Sequence, residues 1–175
     1  MLTTQKLLRA AAHLQVPIYV TTQNAAKLGP TAPELAALLA AAGPLVRAEE
    51  DKTRFSMWTP AVAAHFAAER PGAKSQIAIV GIETHICVTQ TALDALRAGH
   101  AVYVVADGVS SCNREEVAVA LARLRAAGAA VTTSESWLYE LMGDAGIPEF
   151  RSVAGLVKET SADTKAVLSA LFPKM

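Results

Sequence analysis

The sequence predicts an α/β fold, a parallel sheet covered by helices on both faces. Three observations carry that reading. Short β-branched runs alternate with stretches of helical periodicity, and their starts lie roughly 25–32 residues apart, the span of one βαβ unit. The strongest runs are apolar throughout rather than alternating, so both faces of those strands are covered. The chain of 175 residues is 52% hydrophobic and 18% charged, which suits one domain with a proper core.

Each element follows from its own residues. Residues 4–14 read as a helix because Leu7, Ala11 and Leu14 share one face. No strand feeds it, although an α/β domain ordinarily opens with one. Pro17, Ile18, Tyr19, Val20 and Thr21 make the first strand. Leu35, Leu38 and Leu39 form a helical stripe, and residues 45–48 a weaker strand. Residues 77–81 and 101–106 are the strong strands. Between them Ile86, Thr89, Leu93 and Leu96 line one helix face, which stops at Gly99, a residue suited to the position after a helix end. Asn113 to Glu116 has the form of a capping box ahead of Val117, Leu121 and Leu124. Residues 130–133 make a fifth strand. Trp137, Leu138, Leu141 and Met142 suggest a short helix, and Val167, Leu168 and Leu171 another in a peripheral tail. About a fifth of the chain is Ala, which raises helix propensity and explains the apolar content without a greasy surface.

Charge and cysteine usage exclude several functions. Lys plus Arg equals Asp plus Glu, 16 each, so nothing supplies the basic excess that nucleic-acid binding needs. No apolar run reaches transmembrane length, and the start MLTTQKLLRA lacks a signal-peptide core. Two cysteines make no disulfide scaffold. The expectation is a reduced, cytoplasmic, soluble domain with no membrane partner. There is no phosphate-binding Gly-rich loop, no CxxC and no HExxH, so neither a metal nor a cofactor is expected.

The best chemical signal follows the third strand, where residues 81–88 read Gly-Ile-Glu-Thr-His-Ile-Cys-Val. Ligands of open α/β sheets bind beyond the carboxyl ends of strands. Cys87 falls in the first turn of the next helix, where the dipole favours a thiolate and N–H groups can hold an oxyanion. A small buried core residue fits the position equally well. His85, two residues away, points to another side of a helix, so it reads as a rim or substrate contact, or as simply exposed. Lys52, in the polar stretch 49–56, lies on the same rim. It reads either as a charge that stabilises an anion or as part of a solvated loop. Phe55, Met57 and Trp58 beside it line a pocket or pack the next helix. Asp107 reads as a turn residue, a helix anchor or a catalytic group, and Cys112 as a non-essential thiol.

These segments together resemble the isochorismatase-like cysteine hydrolase superfamily, in particular its small eukaryotic isochorismatase-domain-containing branch. The matching stretches are residues 16–23 with 28–31, residues 51–56, residues 81–88 and residues 106–111, with 132–136 as a fifth. The likeness covers residues 1–160, leaving 161–175 as a C-terminal helical tail. It implies a three-layer α/β/α sandwich with a Rossmann-like sheet and an Asp–Lys–Cys triad, in which Cys attacks an amide- or ester-type carbonyl and water hydrolyses the thioester. Cys87 matches the nucleophile and Lys52 the lysine. Gln23, Phe55, Trp58, Glu83, Thr84 and His85 fall where substrate contacts are made. The family's non-proline cis peptide falls at Ile82–Glu83, and a homo-oligomer is implied.

The family aspartate ends a strand that should precede residue 16, but only a helix without Asp stands there. The sequence therefore reads as short at its start and as missing its first strand, which is central in the fold resembled. Asp51 and Glu83 are nearby acids, neither placed where the motif puts the base. The loop after the first strand, residues 23–27, holds no His, so the metal site of nicotinamidase-type relatives is not expected. Two functions compete. One is a cysteine hydrolase of small carbonyl compounds, impaired by the absent Asp. The other is a non-catalytic binding or oligomerisation module, or a truncated gene product, of the same fold. A thiol redox role through Cys87 is a weaker third.

Overall fold

The computed structural model describes residues 1–69 and 71–171, so the last four residues of the expected tail lie outside the described residues. In chain order the elements are α1 (Leu2–Leu14), β1 (Ile18–Gln23), α2 (Ala25–Leu28), α3 (Pro33–Ala42), β2 (Val46–Lys52), α4 (Pro60–Glu69), β3 (Gln76–Ile82), α5 (Thr89–Arg97), β4 (Ala101–Ser110), α6 (Arg114–Ala126), β5 (Ala130–Thr132), α7 (Ser134–Met142), α8 (Phe150–Glu159) and α9 (Ser161–Leu171). A π-helical turn, Thr84–Val88, leads into α5. All strand pairs are parallel. They form two sheets rather than one, β1–β2 and β3–β4–β5.

The larger sheet is covered on both faces, as its uninterrupted apolar strands require. In β4, Val104 and Val105 are both fully buried, and successive side chains point to opposite faces. Val104 joins a core with Ile79, Ala92, Leu121 and Leu124, built from α5 and α6. Val105 joins a second core with Leu7, Leu138, Val153 and Leu156, built from α1, α7 and α8. This is the expected three-layer order. The smaller sheet is drier on one face only. All six residues of β1 are half-buried, and β2 alternates until Lys52, its one buried residue.

Helix ends follow local chemistry, with one departure. Gly99 takes φ +85°, which closes α5 as expected. Asn113 does stand at the cap of α6, but its side chain makes no capping bond. Thr133 caps α7 instead, accepting from Ser136 N at 3.4 Å. Helix α1 is tied to α8 by Arg9, which donates to both carboxylate oxygens of Glu159 at 2.8 and 2.7 Å. It is tied to α9 by the buried Lys6, whose Nζ donates to Thr164 Oγ1 at 2.9 Å. Burial holds the Lys6 pKa below its ordinary 10.5, with Asp107 and Glu135 opposing.

Candidate functional site

A cavity of about 730 Å³ opens between the two sheets. Every residue of β1 lines it on one side and residues 79–82 of β3 on the other, with Met1, Thr3 and Thr4 of the α1 start and Val167, Ala170 and Leu171 of α9. Lys52, Gln23, Cys87, Thr91 and Asp107 also line it. The carboxyl ends of β1, β2 and β3 thus converge on one space, as open α/β sheets dispose their ligand sites.

Lys52 is fixed from all sides. It is in phase with Val46, Ala48 and Glu50 along the alternating β2, which turns its side chain inward. Its ammonium donates to Gln23 Oε1 at 2.7 Å, Arg54 O at 2.9 Å and Phe55 O at 3.0 Å. All three protons are therefore used, and no carboxylate among the described residues lies within ion-pair distance. Burial lowers its pKa from 10.5, and the negative charge of a Cys87 thiolate, then of Asp51 and Glu50, works against that lowering. Gln23 in turn donates from Nε2 to Thr53 O at 2.8 Å, so it braces the lysine loop as well as the lysine.

Cys87 is half-buried in the π-helical turn, whereas Cys112 is exposed. The Ile82–Glu83 peptide bond is cis. Thr84 is fully buried with Oγ1 unpartnered, while its N donates to Ser111 Oγ at 3.1 Å. His85 Nδ1 lies 3.0 Å from the same hydroxyl. Glu83 Oε2 accepts from Cys112 N at 2.5 Å. These contacts bind the cysteine turn to the end of β4.

Thr91 is the residue the sequence reading missed. Its hydroxyl donates to Cys87 O at 2.6 Å and accepts from Met57 N at 2.8 Å. One side chain thereby clamps the cysteine turn to the lysine loop. Its only sequence signal is a position four residues after Cys87, hence one helical turn along the same face.

The other expected contacts are not all brought together. Gln23 joins Lys52 and Cys87 in the cavity. Phe55 is half exposed. Trp58 packs with Phe66 and His100, ring centroids 5.1 and 4.9 Å away, outside the cavity lining. The nearby acids are occupied. Asp51 Oδ1 accepts from Thr22 Oγ1 at 2.8 Å and Ala25 N at 2.9 Å, and those bonds, the Ala25 one foremost, lower its pKa. Asp107 is the one acidic residue in the described lining. It accepts from Ser134 N at 2.7 Å and Ser134 Oγ at 2.5 Å, which makes it the anchor of α7. A bulge in β4 puts it there. Between Ile79–Val104 and Gly81–Val109 the register shifts, and Gly108 lets Val80 come so close that a Cβ would meet its Cγ1 at 2.7 Å. Among the described residues no group of three His, Cys, Asp or Glu side chains gathers, and no helix is long and apolar enough to cross a membrane.

The chain belongs to the isochorismatase family: the family model described as Isochorismatase domain matches residues 1–136. It is 44% identical over 156 residues to the secreted isochorismatase effector Isc1 of Phytophthora sojae, covering 89% of this chain and 73% of that protein. It is 42% identical over 159 residues to isochorismatase domain-containing protein 2 of Bos taurus, covering 91% of this chain and 73% of that one. Among solved structures, the MAR1 ribonuclease of Caenorhabditis elegans matches with a TM-score of 0.79 at 35% identity, over 90% of this chain and 77% of that one.

Proposed function

We propose that this isochorismatase-family fold serves a cysteine hydrolase of small amide- or ester-type carbonyl compounds, and that these 175 residues alone turn over slowly for want of a general base. The observation that carries the reading is the meeting of Lys52 and Cys87 in one cavity, where a negative charge on Cys87 helps keep the buried lysine protonated. Sγ of Cys87 forms a bond to the carbonyl carbon, and the amine or alcohol leaves with a proton. Water then attacks the thioester, releasing the acid and restoring the thiol. Lys52 stabilises the anionic states by charge, since its protons are already donated.

The impairment follows from the acids. Asp107, Asp51 and Glu83 each accept bonds that hold the fold, and none of them is hydrogen-bonded to the Cys87 thiol or the Lys52 ammonium among the described residues. General-base help is worth about 10²–10⁴ in rate. Substrate contacts from Gln23, Phe55, Trp58, Glu83, Thr84 and His85 belong to the same reading, and Gln23 has the most direct support. So does self-association, for which exposed Val119, Tyr139 and Leu141 offer apolar surface. The likeness to a ribonuclease does not redirect the proposed substrate class, because a formal charge of zero supplies no excess of phosphate partners.

The test is a nitrophenyl ester. The expected trace is a burst of one equivalent of nitrophenol, then a steady state about 10²–10⁴ slower. The burst vanishes in Cys87→Ser, and iodoacetamide labels Cys87 before the more exposed Cys112. A burst that survives Cys87→Ser, or labelling that favours Cys112, overturns the assignment.

A further inference from the structure

His100 is a side chain that serves as a rung of the sheet. It stands between the end of α5 and the start of β4, and its Nδ1 accepts from Ser75 N at 3.1 Å. Ser75 O in turn accepts from Ala101 N at 3.0 Å, directly before the first β3–β4 pair, Gln76 with Ala101. The imidazole thus does for Ser75 N what a carbonyl does elsewhere in the ladder. That bond fixes the state of the ring. A backbone N–H donates only to a nitrogen with a free lone pair, so Nδ1 is bare and the proton sits on Nε2. An imidazolium carries N–H on both nitrogens and cannot accept from Ser75.

The same ring closes an aromatic cluster that joins the two sheets. Its centroid lies 4.9 Å from that of Trp58 and 5.7 Å from that of Phe66. Phe66 of α4 stacks on Tyr19 of β1 at 4.4 Å and meets Trp58 at 5.1 Å. Trp58 also packs on the core of the three-strand sheet. It ends the loop whose Arg54 and Phe55 carbonyls hold the Lys52 ammonium, and its N donates to the Oγ of buried Ser56 at 3.1 Å. His100 therefore stands at one end of a chain of contacts and Lys52 at the other.

We propose that His100 is a proton-operated positioning residue for the lysine loop. Neutral, it accepts the Ser75 amide and holds Trp58 and Phe66 against the three-strand sheet. Protonated, it releases Ser75, the cluster loosens, and the loop bearing Lys52 slackens against the Cys87 turn. The inference goes beyond the hydrolase reading and does not rest on it.

The surroundings of the ring favour the neutral form. Burial, then the charge of Lys74, holds the imidazole below its ordinary 6.5. Lys74 is kept close by its bond to Ala98 O at 2.8 Å. The carboxylates on the neighbouring helices are engaged elsewhere. Glu69 of α4 pairs with Arg47 at 3.1 Å and accepts from Tyr19, and Asp94 of α5 pairs with Arg97 and with Arg54 of the lysine loop. His65 of α4 is exposed. Below pH 6.5 the unfolded chain binds the proton first, so stability falls as pH falls.

The test uses the full chain with Trp137→Phe, which leaves Trp58 as its one tryptophan. Between about pH 8 and 4.5 the Trp58 emission is expected to titrate with one proton and a midpoint below 6.5. Over the same range the protection factor of the Ser75 amide falls about tenfold, the equivalent of one hydrogen bond. The Met57 amide, which reports the joint between the lysine loop and the cysteine turn, loses protection with it. Imidazole nitrogen NMR of the native chain at pH 8 shows His100 protonated at Nε2 alone. In His100→Asn, Oδ1 takes the place of Nδ1 and does not titrate, so Trp58 emission and both protections hold into acid. A Trp58 transition that persists in His100→Asn overturns the proposal. So does Ser75 protection that survives acid in the native chain, or a proton on Nδ1 at pH 8. Loss at Ser75 with Met57 protection unchanged overturns it too, since the histidine is then a strut of β4 alone. Should His100→Asn not fold, the nitrogen NMR and the Ser75 and Met57 exchange of the native chain decide by themselves.

Discussion

The two half-sheets differ in what they do for the molecule. In the β3–β4–β5 half, β4 alone buries Val102, Val104, Val105, Ala106 and Val109, and helices cover both faces. In the β1–β2 half, no strand side chain but Lys52 is buried. Stability is concentrated in the first, while the second brings a lysine and a row of open backbone groups. The proposed reactive pair is assembled across the boundary, Cys87 from one half and Lys52 from the other. The chemistry therefore depends on how firmly a weakly buried unit is held against a strongly buried one.

The sharpest test of that contrast is a pair of truncations. Leu138→Ala empties a fully buried position in the core beneath β4 and is expected to cost about 3–4 kcal/mol of unfolding free energy. Val20→Ala, in the half-buried β1, is expected to cost under about 1 kcal/mol. Urea unfolding read by circular dichroism gives both values. Similar losses at the two sites would remove the distinction between the halves.

Thr91 is where the halves are fastened, and its replacement comes next in size. Thr91→Val keeps the shape but leaves Met57 N without an acceptor and Cys87 O without its donor. The expected loss is about 1–3 kcal/mol. A purely structural role stops there. A clamp also changes the site, so the Cys87 alkylation rate falls and exchange at the Met57 amide rises. Thr91→Ser, which keeps the hydroxyl, restores both.

The contrast between the halves also explains what could be read from the residues. Strands β3 and β4 were legible because burial on both faces writes an unbroken apolar run. Strand β2 runs on through Glu49, Glu50, Asp51 and Lys52, a stretch that reads as a charged loop. It is a strand because one backbone edge pairs with β1, and every second side chain meets water. Helix α8 carries Val153, Leu156 and Val157 at helical spacing, so it too is written in the residues. The division into two sheets was not legible, because strand pairing is set between residues far apart in sequence. In the site, the resemblance singled out Lys52 and Cys87 as candidates, and the residues alone left each with two readings. Gln23 was expected as a substrate contact, and its bonds to Lys52 and Thr53 O became visible only once β1 and β2 lay side by side. Asp107 had three readings, and the bulge in β4 selects the anchor.

Alkaline pH separates the buried lysine of one half from the buried tyrosine of the other by sign, with the smallest effect of the three. In the three-strand half, Lys6 has its pKa lowered from 10.5, chiefly by burial. Just below pH 10.5 the unfolded chain therefore binds more protons than the folded one, and stability rises with pH. In the β1–β2 half, Tyr19 is pushed up to about 12, first by burial and then by its hydrogen bond to Glu69. Its ordinary value is 10.0, so between 10 and 12 the folded chain binds more protons, and stability falls as pH rises. The expected profile climbs towards pH 10 and turns down above it. Lys6→Met flattens the climb, with Lys52 contributing what remains, since its pKa is lowered too. Tyr19→Phe shrinks the descent and leaves the climb, with Tyr103, whose pKa its hydrogen bond to Glu140 raises, contributing the descent that remains. Melting temperatures of the three proteins between pH 8 and 11.5 decide the matter. If Tyr19→Phe and Lys6→Met shift the profile in the same direction, the two groups do not carry opposite linkages, and burial of Lys6 and of Tyr19 is not what sets their protons.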